Sequence, residues 1–207
     1  MRIVILGGTF APPTLAHLDL MKNARRFVRA DLGIFVPAPA RYVREWKNKV
    51  TAEKDFLADK TRLRMLGAMI EGENGLLVDT IELDDPENAY TYLTQKRLAA
   101  RYGADEMYFV MGSDKLKDLE RWYEGEKLLR EYLFLIAARA GDDPAAVIAE
   151  TPFLRRHRDR LLLLPAEEAY RGVSSTSVRR LIHEGRLEEA AAYVPGKVMD
   201  IIREEGF

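Results

Sequence analysis

The chain is expected to be an α/β protein, with a doubly wound, Rossmann-like parallel sheet and a small helical C-terminal part. Three observations predict this. Short apolar runs recur between residues 2 and 164, with the length and uniform apolarity of strands buried on both faces. Amphipathic segments separate them, so strand and helix alternate. A glycine pair, Gly7-Gly8, then joins the first apolar run to the first amphipathic segment. Right-handed crossovers between parallel strands wrap helices over both faces of such a sheet.

Strands are expected at 2–6, 32–36, 76–78, 107–111, 132–137 and 161–164. The first helix should bury a face made of Leu20, Met21, Ala24, Phe27 and Val28. A second, near 62–70, should bury Leu63, Leu66, Met69 and Ile70. Further helices are expected at 90–102, 124–130 and 144–157. After Thr176 no strand pattern remains. Val178, Leu181 and Ile182 suggest a short helix, followed by 187–192 and, past Pro195-Gly196, by 197–203. One domain is expected over 1–207, with its core in 1–172 and the helical part in 173–207. Residues 37–55 show no period and carry Arg41, Tyr42, Arg44, Trp46, Lys47 and Lys49; a long loop in a compact domain is often functional.

Composition narrows the function classes. The balance of 32 Lys and Arg against 33 Asp and Glu gives no general pull toward nucleic acid or membrane. The arginines around His157 (155, 156, 158 and 160) read as a solvated helix end, and His183 as a surface helix residue. There is no cysteine, which excludes disulfides and thiolate chemistry, and three histidines without close pairing give no zinc constellation. No signal-peptide pattern and no membrane-spanning apolar run occur, so a cytoplasmic protein is expected. The sequence leaves oligomeric state open.

Two segments carry the chemistry. The first is Gly7-Gly8-Thr9-Phe10, followed by Thr14 and His17 at the start of a helix. Backbone N–H groups of a glycine turn and of a helix start face anions. Thr14 and His17 lie one helical turn apart and point back toward that turn. The second is Ser174-Ser175-Thr176-Ser177, a run of hydroxyls just ahead of Arg179 where another helix begins. Two anion-friendly helix starts far apart in sequence suggest one polyphosphate gripped from both sides, and hence a nucleotide. Neither a Gly-Lys-Ser/Thr P-loop nor Gly-x-Gly-x-x-Gly is present.

These two segments resemble the (His/Thr)-x-Gly-His and Ile-Ser-Ser-Thr-x-x-Arg hallmarks of the nucleotidyltransferase superfamily. Three further stretches are similar to bacterial nicotinate-nucleotide adenylyltransferases: Met111-Gly112-Ser113-Asp114 with Leu116, Leu119 and Trp122; Ala89-Tyr90-Thr91; and Asp79-Thr80-Ile81-Glu82-Leu83. The resemblance runs almost end to end and is weakest over 37–55. It departs at Ala11, where the family has Asp; at Ala16, where it has Gly; at Thr14, where this subfamily more often has His; and in lacking the Pro-Pro-His-Lys of the substrate loop.

The resemblance implies adenylyl transfer from ATP to nicotinate mononucleotide, giving deamido-NAD and pyrophosphate. It gives ATP and a pyridine mononucleotide as partners, and Mg²⁺ carried on ATP with no protein metal site. It implies Thr14, His17 and Arg179 as catalytic, and Gly7, Gly8, Thr9, Phe10, Gly112, Asp114, Ser174, Ser175 and Thr176 as ATP-binding. Lys49, Tyr90, Thr91 and Trp122 would hold the acceptor. On the residues alone, Asp114 serves equally as a ribose acceptor or a helix cap, Trp122 as a stacking platform or core residue, and Tyr90-Thr91 as an anion site or a simple cap. The alternatives are transfer to nicotinamide mononucleotide or phosphopantetheine, and a catalytically impaired nucleotide-binding module, the last motivated by Ala11 and Ala16.

Overall fold

The structure is a computed structural model that describes residues 1–39, 57–139, 141–165 and 172–206. Six strands form one parallel sheet: β1 (Arg2–Gly8), β2 (Leu32–Pro37), β3 (Leu76–Val78), β4 (Glu106–Gly112), β5 (Leu133–Ala137) and β6 (Leu161–Leu164). Their order is β3-β2-β1-β4-β5-β6. Strand order reverses between β1 and β4, and in open α/β sheets the ligand crevice lies at the carboxyl ends of the strands at that point. The glycines sit there. Gly8 pairs with Pro37 at the end of β2, and Gly112 pairs with Ala137 at the end of β5.

The period-two alternation of each strand supplies two cores. Val4 and Leu6 of β1 face one side, and Ile3 and Ile5 the other. Over the first side pack α1 (Leu15–Val28), α2 (Asp59–Ile70) and the C-terminal helices α8 (Ser175–His183), α9 (Leu187–Ala191) and α10 (Gly196–Glu205). Over the second pack α3 (Ile81–Asp84), α4 (Thr91–Tyr102), α5 (Gly125–Glu131), α6 (Pro144–Glu150) and α7 (Pro152–Arg156), together with a 3₁₀ segment, Ser113–Arg121. Among the described residues no helix is long and apolar enough to cross a membrane.

Two helix expectations need correction. The 144–157 segment is not one helix: α6 ends at Glu150, and Pro152, which cannot donate to a continuing helix, opens α7. The buried face of α1 is Leu18, Met21 and Ala24, whereas Phe27 is 44% exposed. Counting three and seven residues back and forward from Met21 reaches Leu18, Ala24 and Val28, and Phe27 falls off that stripe.

On the second face a buried carboxylate anchors the approach to α4. Asp79 accepts from the Ile81 N–H at 2.9 Å, from Arg101 at 2.6 Å and from the Tyr102 hydroxyl at 2.8 Å. It thereby ties the end of β3 to the last turn of α4. Asp79 thus serves the fold, holding the C-terminal end of α4 against the end of β3.

Candidate active site

The segment leaving β1 makes a tight path over the crevice. Phe10 has φ 50° and buries its ring against Phe35 and His17, and the Ala11–Pro12 peptide is cis. A Cβ on Gly8 would lie 3.0 Å from the Phe10 ring, tight enough that the ring would have to shift to admit it. The segment is then held from two directions.

One hold comes from α2. Arg62 is 1% exposed and donates to the Thr9 carbonyl at 2.7 Å and to the Ala38 carbonyl at 2.7 Å, with Asp59 as its ion-pair partner. A buried guanidinium thus joins the turn after β1 to the segment after β2. Sequence reading missed Arg62. The available signal was an arginine in the same helical stripe as Met65, Leu66 and Met69.

The other hold comes from the start of α8. Ser175 Oγ donates to the Pro12 carbonyl at 2.8 Å, and Arg179 donates to the Ala11 carbonyl at 2.6 Å. The two sequence-predicted segments therefore meet. Ser174 caps α8 by accepting from the Ser177 N–H at 3.1 Å. The hydroxyls of Ser174 and Ser175 are thus occupied in building the clamp, while Thr176 is exposed and touches Arg179 at 3.3 Å. Ala11 contributes through its backbone: its side chain is buried and its carbonyl receives Arg179.

Thr14 and His17 open α1. The Thr14 N–H donates to His17 Nδ1 at 3.0 Å, and Thr14 Oγ1 lies 2.7 Å from the same nitrogen. Because Nδ1 accepts, the neutral ring carries its proton on Nε2. Burial, and then the charge of Arg139, push the His17 pKa down to about 4. The ring is a neutral Nε2–H donor across the physiological range. Thr14 is fully buried, with its hydroxyl turned to His17.

At the end of β4, Asp114 lies in the first turn of the 3₁₀ segment, whose cap is Gly112; Asp114 makes no cap itself. Its Oδ1 accepts from Arg139 Nε at 2.7 Å, and Lys115 lies 3.4 Å from Oδ2. Burial raises the carboxyl, but the Arg139 hydrogen bond and the charges of Arg139 and Lys115 outweigh it and hold the pKa below the usual range. A side chain on Gly112 would collide with this carboxylate and come within 2.9 Å of Arg139 Nε.

The acceptor candidates gather on the second face. Tyr90 is the cap residue of α4 but supplies no side-chain cap, so the first N–H groups of α4 carry no such partner. Tyr90 stacks on Tyr123 with centroids 4.6 Å apart. Trp122 is half-buried and meets Phe109 edge-on at 6.3 Å, so it is not sunk in the core. One turn into α4, Thr94 donates to Glu82 at 2.7 Å; burial pushes the Glu82 carboxyl up to about 7, against that hydrogen bond and Arg97. Lys49 lies outside the described residues.

The family described as "Cytidylyltransferase-like" matches residues 5–181. A curated relative from Listeria innocua named "Probable nicotinate-nucleotide adenylyltransferase" is 30% identical over 206 residues, covering 98% of this chain and 95% of its own length. Two solved structures of Plasmodium falciparum nicotinic acid mononucleotide adenylyltransferase, one complexed with APC and one with NaAD, superpose with TM-scores of 0.75 and 0.73. Both are 20% identical and cover 100% of this chain and 96% of theirs. The chain belongs to the cytidylyltransferase-like nucleotidyltransferases, in the nicotinate-nucleotide adenylyltransferase family.

Proposed function

We propose that this protein transfers the adenylyl group of ATP to nicotinate mononucleotide, releasing pyrophosphate and forming deamido-NAD. The observation that carries the reading is the double hold on the turn after β1. Arg179 and Ser175 from α8, and Arg62 from α2, fix the backbone beside which the His17 Nε2–H donor stands. The clamp uses the carbonyls of Ala11 and Pro12, so it does not depend on an acidic side chain at position 11. That favours an active enzyme over an impaired binding module.

In this reading an oxygen of the acceptor phosphate attacks the α-phosphorus of ATP, the new P–O bond forms, and the bond to the bridging oxygen of pyrophosphate breaks. The acceptor phosphate has a second pKa of about 6 and is largely ionised at neutral pH, so no protein base is required. The protein's work is to align two anions and to spread donors around the transferring group. His17 and Arg179 supply side-chain donors and Gly8–Phe10 supply backbone N–H groups, with Thr14 orienting His17 and Ser174 and Ser175 holding the start of α8. Thr176, beside Arg179, faces the phosphates. Asp114 accepts from the ribose, with Gly112 leaving room. Because the groups at the turn are donors, Mg²⁺ would be held by the ATP phosphate oxygens and would neutralise their charge. Cytoplasm, as the compartment that supplies ATP, completes the reading.

The acceptor's ring lies against Trp122 and its carboxylate meets the uncapped start of α4 at Tyr90 and Thr91; Lys49 belongs to the loop proposed to reach its phosphate. Helix-start N–H groups suit a carboxylate, whereas a carboxamide leaves its own donors unmatched. An unpaired buried polar group costs about 1–3 kcal/mol. The expected preference in kcat/KM for nicotinate over nicotinamide mononucleotide is therefore roughly 10–100-fold. Thr91→Val should erode it and leave ATP affinity nearly unchanged. Steady-state kinetics with both mononucleotides tests this, and equal use of the two by the unmodified protein would refute the acceptor pocket described.

A further inference from the structure

We propose that Arg139 is a phosphate-binding residue held in reserve by Asp114, and that the ATP ribose releases it by taking Asp114 in its place. The inference rests on the adenylyl-transfer reading of the site.

Arg139 follows β5, whose last residue, Ala137, pairs with Gly112, so it stands over the same crevice as the Gly7-Gly8 turn. Its backbone is fixed: the Arg139 N–H donates to Ser113 Oγ at 2.9 Å, and Ser113 donates in turn to Asp142 at 2.5 Å. Its side chain is held lightly by comparison. Among the described residues its hydrogen bond runs through Nε to Asp114 Oδ1 at 2.7 Å, with 61% and 36% of the two side chains exposed. An ion pair that open to water contributes little and is easily exchanged. The pairing engages one edge of the guanidinium; the terminal nitrogens, the fork that suits phosphate oxygens, make no other hydrogen bond among the described residues.

Two features tie this pair to the nucleotide. The depressed pKa of His17 registers the Arg139 charge, so the guanidinium already acts on the group aimed at the phosphates. And Asp114 is the carboxylate assigned to the ribose. A ribose diol that donates to both carboxylate oxygens occupies the Oδ1 position Arg139 now uses. The displaced guanidinium then has the triphosphate within the same crevice, an anion of several charges in place of one. No covalent bond changes; hydrogen bonds are exchanged and the positive charge moves from the ribose side to the phosphate side. Lys115, 3.4 Å from Oδ2, stays with Asp114 and limits the charge left behind.

The test compares ATP with 2′,3′-dideoxy-ATP, which lacks the hydroxyls that displace Arg139, on the unmodified protein and on Arg139→Gln. Isothermal titration calorimetry reads Kd for the four combinations. Arg139→Gln should weaken ATP by about 10-fold or more, within the range of ordinary coupling between sites. It should weaken the dideoxy analogue by less than about 3-fold, because there Arg139 remains on Asp114. Equal weakening of both nucleotides, or none for ATP, overturns the exchange. Thermal melting should be nearly unchanged, since the side chain is exposed, and Arg139→Lys should recover only part of the ATP affinity. Failure of the transfer reading itself would show separately, as absence of pyrophosphate release from the unmodified protein, and would leave the four titrations interpretable.

Discussion

Replacing His17 with alanine should lower kcat by a factor on the order of 10²–10³, the loss typical of removing one preorganised donor from a site of developing charge. The geometry makes the prediction specific. Nδ1 is taken up by the Thr14 N–H at 3.0 Å and faces the Thr14 hydroxyl at 2.7 Å, which leaves Nε2–H as the only donor the neutral ring can offer. With a pKa near 4, the ring holds that form throughout the working pH range. The kcat/KM profile should then show no His17 ionisation near pH 6.5, and its acid side should follow the acceptor phosphate. Stability carries a matching signature. The folded-state pKa lies below the unfolded value of 6.5, so protons favour the unfolded chain, and stability is lost as pH falls from about 6.5 toward 4. His17→Ala lacks that contribution to acid lability. Turnover unchanged by the substitution would remove His17 from the mechanism.

The second large effect is on folding. Arg62→Ala should destabilise the protein by about 3 kcal/mol, because it removes a guanidinium, itself 1% exposed, that donates to the Thr9 and Ala38 carbonyls. For a chain of this size that corresponds to a Tm lower by roughly 6–12 °C. Asp59 moderates the loss because it is 41% exposed and can be solvated. Lysine should rescue little, since one ammonium on a flexible stem does not reproduce a planar fork spanning two carbonyls. The variant that stays folded should also show a raised KM for ATP, as the turn after β1 loses one of its two holds. A melting curve that matches the unmodified protein would show that α2 does not fix that turn.

The features legible in the sequence are those whose causes are local. The central strands β4 and β5 announce themselves because strands buried on both faces must be apolar at successive positions. The His17–Thr14 pair is a three-residue spacing on one helix start, and its contact follows from helix geometry. The Ser174–Arg179 segment reads as a helix start for the same reason. What stayed hidden is non-local. Arg179 meets the carbonyl of Ala11 across 168 residues, and no side-chain pattern marks a backbone acceptor. Arg62 and Arg139 look like ordinary charged residues until the fold brings the turn to one and Asp114 to the other. Pro152 marks the break inside the expected 144–157 helix, since proline cannot donate to a continuing helix. Phe27 is an aromatic assigned to the core for its apolarity although its angle on α1 turns it to solvent.

The central claim is that one crevice, built where strand order reverses, aligns ATP and a pyridine mononucleotide for direct transfer. The most direct measurement follows pyrophosphate release and product mass together, with ATP and a panel of nicotinate mononucleotide, nicotinamide mononucleotide and phosphopantetheine. The account predicts deamido-NAD formed in equal amount to pyrophosphate, fastest with nicotinate mononucleotide. Tight ATP binding with no pyrophosphate released for any acceptor would contradict it.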